Sequence, residues 1–273
     1  MKNVSEITNE MAQEELFLIP TMGSLHEGHL SLIESAKRSE LKTIVSIFVN
    51  PKQFNDVNDY KKYPRDISKD IDILERSDVD YLFNPEEDYI YGKNFKKIIH
   101  SGSIGNKYEG QSRPGHFDGV LTVVNRLFEL VKPKKAIFGK KDAQQLFLIK
   151  EYVDKNNLNI DIHEGEIIRD SHGLALSSRN QLLSSEGLSV ATGLKDYLES
   201  LKQAYLKSGN IVDSINSILK MKKKSELNID YLHILDKETF SNITENTKNI
   251  IIIIAGFVEG IRLIDNIDFE VEA

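Results

Sequence analysis

The sequence predicts an α/β fold: a doubly wound parallel-sheet domain over residues 1–170, then a smaller α+β domain with an antiparallel sheet over 171–273. Three observations carry this expectation. Strand-like and helix-like segments alternate through the first two-thirds of the chain, as right-handed βαβ units require. After about residue 170, two helical stretches are followed by three extended segments with no helix between them. The first apolar strand also runs into a stretch holding Gly23, His26, Gly28 and His29, at the strand end where such sheets bind ligands.

Leu16 to Ile19 is apolar throughout and reads as a strand. Leu30 to Ser39 reads as a helix with Leu32, Ile33 and Ala36 on its inner face. Thr43 to Val49 is rich in β-branched residues, the pattern of a strand buried on both faces. Ile67, Ile71 and Leu74 recur at helical spacing over Ile67 to Arg76, and Asp80 to Phe83 is a short strand stopped by Asn84-Pro85. Gly119 to Val131 is a strongly apolar helix, Lys135 to Phe138 a strand, Asp142 to Val153 a helix and Ile160 to His163 a strand. Beyond the change of pattern, Ser185 to Lys207 and Ile211 to Lys223 read as helices. Ile229 to Leu235, Ile250 to Phe257 and Ile261 to Ile264 read as strands, and Lys222-Lys223-Lys224 as a solvated helix end.

Composition narrows the function. A formal net charge of −7 argues against a general nucleic-acid or membrane-surface role, either of which wants a basic face. The absence of cysteine excludes disulfides, thiolate chemistry and Cys-ligated metals. The amino terminus lacks the apolar core of a signal peptide, and the longest apolar stretch, Ile250 to Val258, is far short of a membrane span, so the cytoplasm is the expected location.

The run Pro20-Thr21-Met22-Gly23-Ser24-Leu25-His26-Glu27-Gly28-His29 places two imidazoles where a strand gives way to a helix. A helix start exposes backbone N–H groups and partial positive charge, so anions collect there. Gly23 and Gly28 let the backbone turn and approach a ligand, and imidazoles can donate to phosphate oxygens. A structural or metal-binding pair is the competing reading, and no third metal ligand stands nearby in the sequence. The stretch points to nucleotide phosphates.

Further polar segments follow in order: Phe48 to Phe54 (with Asn50 and Gln53), Tyr63-Pro64-Arg65, Arg113 to Val120, Phe138 to Gln145, Gly173 to Asn180, and late in the chain Arg262-Leu263-Ile264-Asp265-Asn266. Together with the His-x-Gly-His run they resemble the pantoate–β-alanine ligases over about residues 16 to 266. The resemblance implies a Rossmann-like first domain, a smaller lid domain, a homodimer, Mg²⁺, and the substrates ATP, pantoate and β-alanine. It implies two steps, pantoyl adenylate formation with loss of pyrophosphate and then attack by the amine of β-alanine.

The resemblance also assigns residues. Pro20, Thr21, Met22, Gly23, His26, His29, Gly139, Lys141, Asp142, Ser177, Ser178 and Arg179 would meet ATP, with His26, His29, Lys141 and Arg179 in the chemistry. Gln53, Gln145 and Asn50 would meet pantoate, whose hydroxyls and carboxylate suit uncharged amides that both donate and accept. Asp70 matches a position associated with Mg²⁺. Plainer roles compete: a turn residue for Asn50, an N-cap for Asp142, a solvated carboxylate for Asp70. Arg113 to Phe117 reads either as a mobile cover excluding water from the adenylate or as a rigid turn.

The chain departs from the family pattern at Lys140, where an acid is usual, at Ala143, where an aromatic is usual, at His172 and at Glu259. Two rivals remain: another adenylyl transferase acting on a different carboxylate or phosphate, and a nucleotide-binding regulator without turnover. A class I aminoacyl-tRNA synthetase is disfavoured, because no Lys-Met-Ser-Lys-Ser signature is present.

Overall fold

The computed structural model describes residues 1–9, 11–93, 95–219 and 227–271. It divides into two compact units, one of Met1–Lys140 with Gln144–Ile167, the other of Lys141–Ala143 with Ile168–Ala273.

In the first unit the strands are β1 (Lys2–Val4), β2 (Leu16–Thr21), β3 (Lys42–Ile47), β4 (Tyr81–Phe83), β5 (Lys135–Gly139) and β6 (Asp161–Gly165). They form one sheet in the order β1-β4-β3-β2-β5-β6, every pair parallel. The helices are α1 (Glu27–Lys37), α2 (Val57–Lys62), α3 (Ile67–Arg76), α4 (Glu87–Tyr91), α5 (Glu109–Ser112), α6 (His116–Val131) and α7 (Ala143–Lys155). The winding runs outward from β2 through β3 to β4, then returns to the other side of β2 as β5 and β6. The switch point therefore lies between β2 and β5, and ligands of such sheets bind at the carboxyl ends there.

The period-two alternation of a strand explains how β2 serves two cores. Leu16 and Leu18 join the cluster built with α6 and α7, which includes Val120, Leu127, Leu148 and Ile149. Phe17 and Ile19 join the opposite cluster with Leu32, Ile33 and Ala36 of α1 and Leu74 of α3. Burial on both faces is why β2 carries no polar residue before Thr21.

Several elements extend past their sequence-based bounds. Helix α1 begins at Glu27 because His26 caps it, and α6 begins at His116 because Gly115 takes a φ of +80°. The edge strand β1, only three residues long, gives no periodic signal. Lys140 replaces a usual acid, and its ammonium sits 2.5 Å from Glu166 and 3.9 Å from Glu164, so the reversed charge has local partners.

In the second unit α8 (Ser185–Ala191), α9 (Gly193–Ser208) and α10 (Ile211–Leu219) precede an antiparallel sheet of β7 (Asn228–Asp236), β8 (Asn249–Val258) and β9 (Ile261–Glu270). Alternate residues Ile250, Ile252 and Ile254 of β8 pack with Leu194, Leu198 and Leu201 of α9. The helix expected over Ser185 to Lys207 is two helices, broken at Thr192, whose hydroxyl turns back to the Ser189 carbonyl at 2.7 Å. Strand β9 runs on to Glu270, well past the expected end at Ile264. Lys222, Lys223 and Lys224 lie outside the described residues.

Glu259 stands in the β8–β9 turn with φ +51°, a conformation that a residue with a Cβ adopts at some cost. Its carboxylate accepts from the Ser184 backbone N–H at 2.9 Å and from the Ser184 hydroxyl, and Ser184 in turn caps α8. His172 is exposed, and its tight turn is held by Asp170, whose Oδ1 accepts from the backbone N–H groups of His172 and Leu174 at 2.9 Å each.

Candidate active site

Two residues past the end of β2, Gly23 adopts φ +78° and starts the turn into α1. At the helix start His26 and His29 form a reciprocal cap. His26 Nδ1 accepts from Gly28 N–H at 3.1 Å, and His29 Nδ1 accepts from His26 N–H at 3.3 Å. A neutral imidazole whose Nδ1 accepts must carry its proton on Nε2. The cap thus fixes both tautomers and makes each Nε2 a donor, next to the partial positive charge of a helix start.

Asp70 of α3 braces this loop. Its two oxygens accept from Ser24 N–H and Leu25 N–H at 2.8 Å each, and the residue is 2% exposed. The expected solvated or Mg²⁺-associated carboxylate is instead a buried tie between α3 and the turn, so its oxygens do not fit a metal ligand. Among the described residues no group of three or more His, Asp or Glu side chains is placed to hold a metal ion. Thr21 is likewise internal, its hydroxyl donating to the Ser46 carbonyl at 2.8 Å and accepting from Gly23 N–H at 3.2 Å.

Asn50 and Gln53 lie in a short turn after β3. Asn50 Oδ1 accepts from Lys52 N–H at 3.1 Å and from the Tyr91 hydroxyl at 2.6 Å, while Nδ2 donates to Gln53 Oε1 at 3.1 Å and to the Gly119 carbonyl at 3.0 Å. Burial and the charge of Glu87 push the Tyr91 hydroxyl well above its ordinary range, so it stays a donor. All four hydrogen-bonding positions of Asn50 are used within the protein, and the residue is 1% exposed. These bonds tie the Asn50 side chain to Gln53, Tyr91 and the α6 backbone. Gln53 is buried, its Oε1 accepting from Asn50 and its Nε2 donating to Met22 Sδ at 2.8 Å.

The segment around Arg113 buttresses the turn that carries Gln53. His116 is buried, and its Nδ1 donates to the Gln53 carbonyl at 2.8 Å while Nε2 accepts from Arg113 Nη1 at 3.1 Å. Arg113 also faces Glu109 Oε1 at 3.5 Å. Gly119 allows α6 to touch this turn, since a Cβ there would lie 2.2 Å from the Lys52 carbonyl oxygen. Sequence reasoning missed this support, as it missed Gln144, whose buried amide binds Glu109 N–H and the carbonyls of Ile104 and Lys107. Gln145, one position on, makes no hydrogen bond through its amide among the described residues, which leaves it available for a ligand.

Lys141 follows β5 by two residues. Its ammonium forms no ion pair or hydrogen bond among the described residues, and its carbonyl accepts from Asn266 Nδ2 at 2.9 Å. The carboxylate of Asp142, just ahead of α7, is exposed and makes no capping bond among the described residues, so the expected N-cap is not formed. A Cβ on Gly139 would meet nothing within 4 Å, so the end of β5 opens on free space. In the second unit Ser177 caps a short turn by accepting from Arg179 N–H at 3.3 Å, and Ser178 is buried beside it.

A histidine pair at a helix start beside the switch point of a parallel sheet, in a chain without cysteine, defines an α/β protein of the nucleotide-using class. Residues 1–268 match the family described as Pantoate-beta-alanine ligase. The chain is 44% identical over 268 residues to the pantothenate synthetase of Vesicomyosocius okutanii, covering 97% of this chain and 94% of the relative. It is 42% identical to that of Caldicellulosiruptor bescii, covering 99% and 97%. Its structure superposes on pantothenate synthetase from Thermus thermophilus with a TM-score of 0.92 at 37% identity, over 98% of this chain and 99% of that one. It also matches the ligase from Francisella tularensis complexed with β,γ-ATP and β-alanine, with a TM-score of 0.78 at 36% identity, over 98% and 97%. The chain belongs to the pantoate-beta-alanine ligase family, and its activity is the ATP-dependent condensation of pantoate with β-alanine.

Proposed function

We propose that condensation proceeds through pantoyl adenylate. A pantoate carboxylate oxygen attacks the α-phosphorus of ATP, the bond to the β-phosphate bridging oxygen breaks, and pyrophosphate leaves. The neutral amine of β-alanine then attacks the activated carbonyl, a C–N bond forms, AMP leaves and the amine loses a proton. Both reactants of the first step are anions, so the protein must offset charge and hold them in line.

The observation that carries this reading is the reciprocal histidine cap, in which both Nδ1 atoms accept backbone N–H groups; the reading gives the two Nε2–H groups to phosphate oxygens. Lys141, whose ammonium has no partner among the described residues, stabilises charge developing at the α-phosphate, and Ser177, Ser178 and Arg179 add donors. Pro20, Thr21, Met22, Gly23, Gly139 and Asp142 line the nucleotide's path as backbone and loop residues. Gln53, through Nε2, and Gln145 recognise pantoate, with Asn50 orienting Gln53. The second unit acts as a lid that keeps water from the adenylate. Mg²⁺ accompanies ATP on its phosphates, as this ion keeps most of its waters and favours substrate oxygens. Asp70 does not hold it, and no step above depends on it. A homodimer in the cytoplasm completes the reading, supported by the family resemblance.

The test is AMP release from ATP, Mg²⁺, pantoate and β-alanine. Release that needs both organic substrates, with pantoate-dependent exchange of labelled pyrophosphate into ATP in the absence of β-alanine, is the expected result. AMP release with no exchange would remove the adenylate. Turnover indifferent to pantoate would point to another adenylyl transferase, and ATP binding without turnover to a regulator.

A further inference from the structure

Arg169, Asp265 and Asn266 form a buried cluster that the chemistry above does not use. Arg169 Nη1 and Nη2 donate to the two oxygens of Asp265 at 2.6 and 2.9 Å, the paired geometry in which a guanidinium holds a carboxylate most firmly. Asp265 and Asn266 are 3% and 4% exposed, on β9. Arg169 Nη2 also reaches the Asn266 carbonyl at 3.3 Å, and Asp265 Oδ1 accepts from Asn266 N–H at 2.8 Å. The backbone of Asn266 is thereby fixed on both sides. From that fixed backbone its side-chain Nδ2 holds the carbonyl oxygen of Lys141.

The same arginine reaches a second segment. Arg169 Nη1 donates to the Gly173 carbonyl at 3.1 Å, and residue 169 pairs with Ala175 in a short antiparallel bridge. Leu176 N–H continues that bridge to the Ile168 carbonyl at 2.9 Å, and the chain then enters Ser177-Ser178-Arg179. One ion pair therefore sets the backbone of Lys141 and the base of the Ser177–Arg179 turn together, within a single compact unit.

We propose that Arg169, Asp265 and Asn266 are positioning residues for phosphate chemistry. They act through Lys141, holding its backbone so that the flexible ammonium stem starts from a fixed point. This deepens the proposed role of Lys141 and rests on it. A buried ion pair is weak support for stability by itself, because desolvation offsets much of the attraction. Placing a backbone carbonyl is a use that an apolar substitute could not supply.

The test is a double-mutant cycle on pantoate-dependent pyrophosphate exchange. Asn266→Ala is expected to lower kcat ~10- to 100-fold, the range over which misplaced charge-stabilising groups act, while KM for pantoate stays within about twofold. Lys141→Ala is expected to fall further, and adding Asn266→Ala to it should cost nothing more, since the group being positioned is gone. Multiplicative losses would mean independent damage and overturn the proposal, as would an Asn266→Ala enzyme at parental kcat. Parental turnover by Lys141→Ala would instead overturn the role of Lys141, and the proposal with it. If Asn266→Ala does not fold, Asn266→Leu keeps nearly the same size and removes the donor without adding a charge. The cycle then runs on that variant, with the same outcomes.

Discussion

The rings of His26 and His29 stand 4.2 Å apart, centroid to centroid, and the Nδ1 of each accepts a backbone N–H of the same helix start. Each residue thus has two jobs, closing the helix end and presenting Nε2. The jobs can be separated, because asparagine is a good N-cap but offers no imidazole.

Accordingly, His26→Asn should keep the melting temperature within a few degrees of the parent while pyrophosphate exchange falls ~10- to 100-fold, the scale of losing one preorganised donor. His29→Ala should lose exchange to a similar or greater extent. Thermal melts and exchange rates on the same preparations decide the matter. A His26→Asn enzyme with parental exchange would leave only the cap as this residue's role.

Asn50 fixes which way round the Gln53 amide sits, with Oε1 toward Asn50 and Nε2 toward Met22. Asn50→Ala should therefore raise KM for pantoate by ~10-fold, the worth of about one hydrogen bond, with KM for ATP little changed. Gly119→Ala, which would push a methyl into the Lys52 carbonyl, should shift KM for pantoate in the same direction and lower stability as well. Equal rises in both Michaelis constants for Asn50→Ala would count against a role in pantoate recognition.

Asp70 is a brace, so its neutral isostere should injure folding more than metal use. Asp70→Asn is expected to cost about 1.5–3 kcal/mol, the range for hydrogen bonds to a charged group, read from denaturant midpoints. The Mg²⁺ concentration giving half-maximal activity should stay as in the parent. A several-fold rise in that concentration would restore Asp70 as a metal ligand.

Glu129 supplies a pH dependence. Burial raises its pKa, but hydrogen bonds from Lys97, Asn125 and Arg126 outweigh that and lower it from 4.5 to about 2. A carboxylate lowered in the folded state stabilises it above about pH 4.5, and that contribution drains away as the pH falls toward 2. The side chain is partly exposed, so solvent screening keeps the effect modest. Glu129→Gln should flatten the loss of urea resistance between about pH 5 and pH 3, and an unchanged acid limb would show that the cluster does not matter to folding.

The first sheet was legible where strands are buried on both faces: β2 has no polar residue before Thr21, and the polar residues inside β3, Thr43 and Ser46, are small enough to be buried with their apolar neighbours. The histidine pair could be located but not its cap, because histidine is not a customary N-cap residue. Strand β9 was cut short at Ile264 because the next two residues, Asp265 and Asn266, are polar yet buried, compensated by an arginine 96 positions away. Asn50 was legible as a turn residue, whereas its grip on Gln53 depends on Tyr91 and Gly119, which lie far off in sequence. Partners this remote leave no local spacing to read.

Lys141 and the amide that holds its carbonyl are 125 positions apart. A growing chain has made the lysine long before it has made the tether, and closing so wide a loop must be driven by the packing of the last sheet. A protein cut short after Ile264 would keep every group assigned to the phosphates and still lack the anchor for one of them.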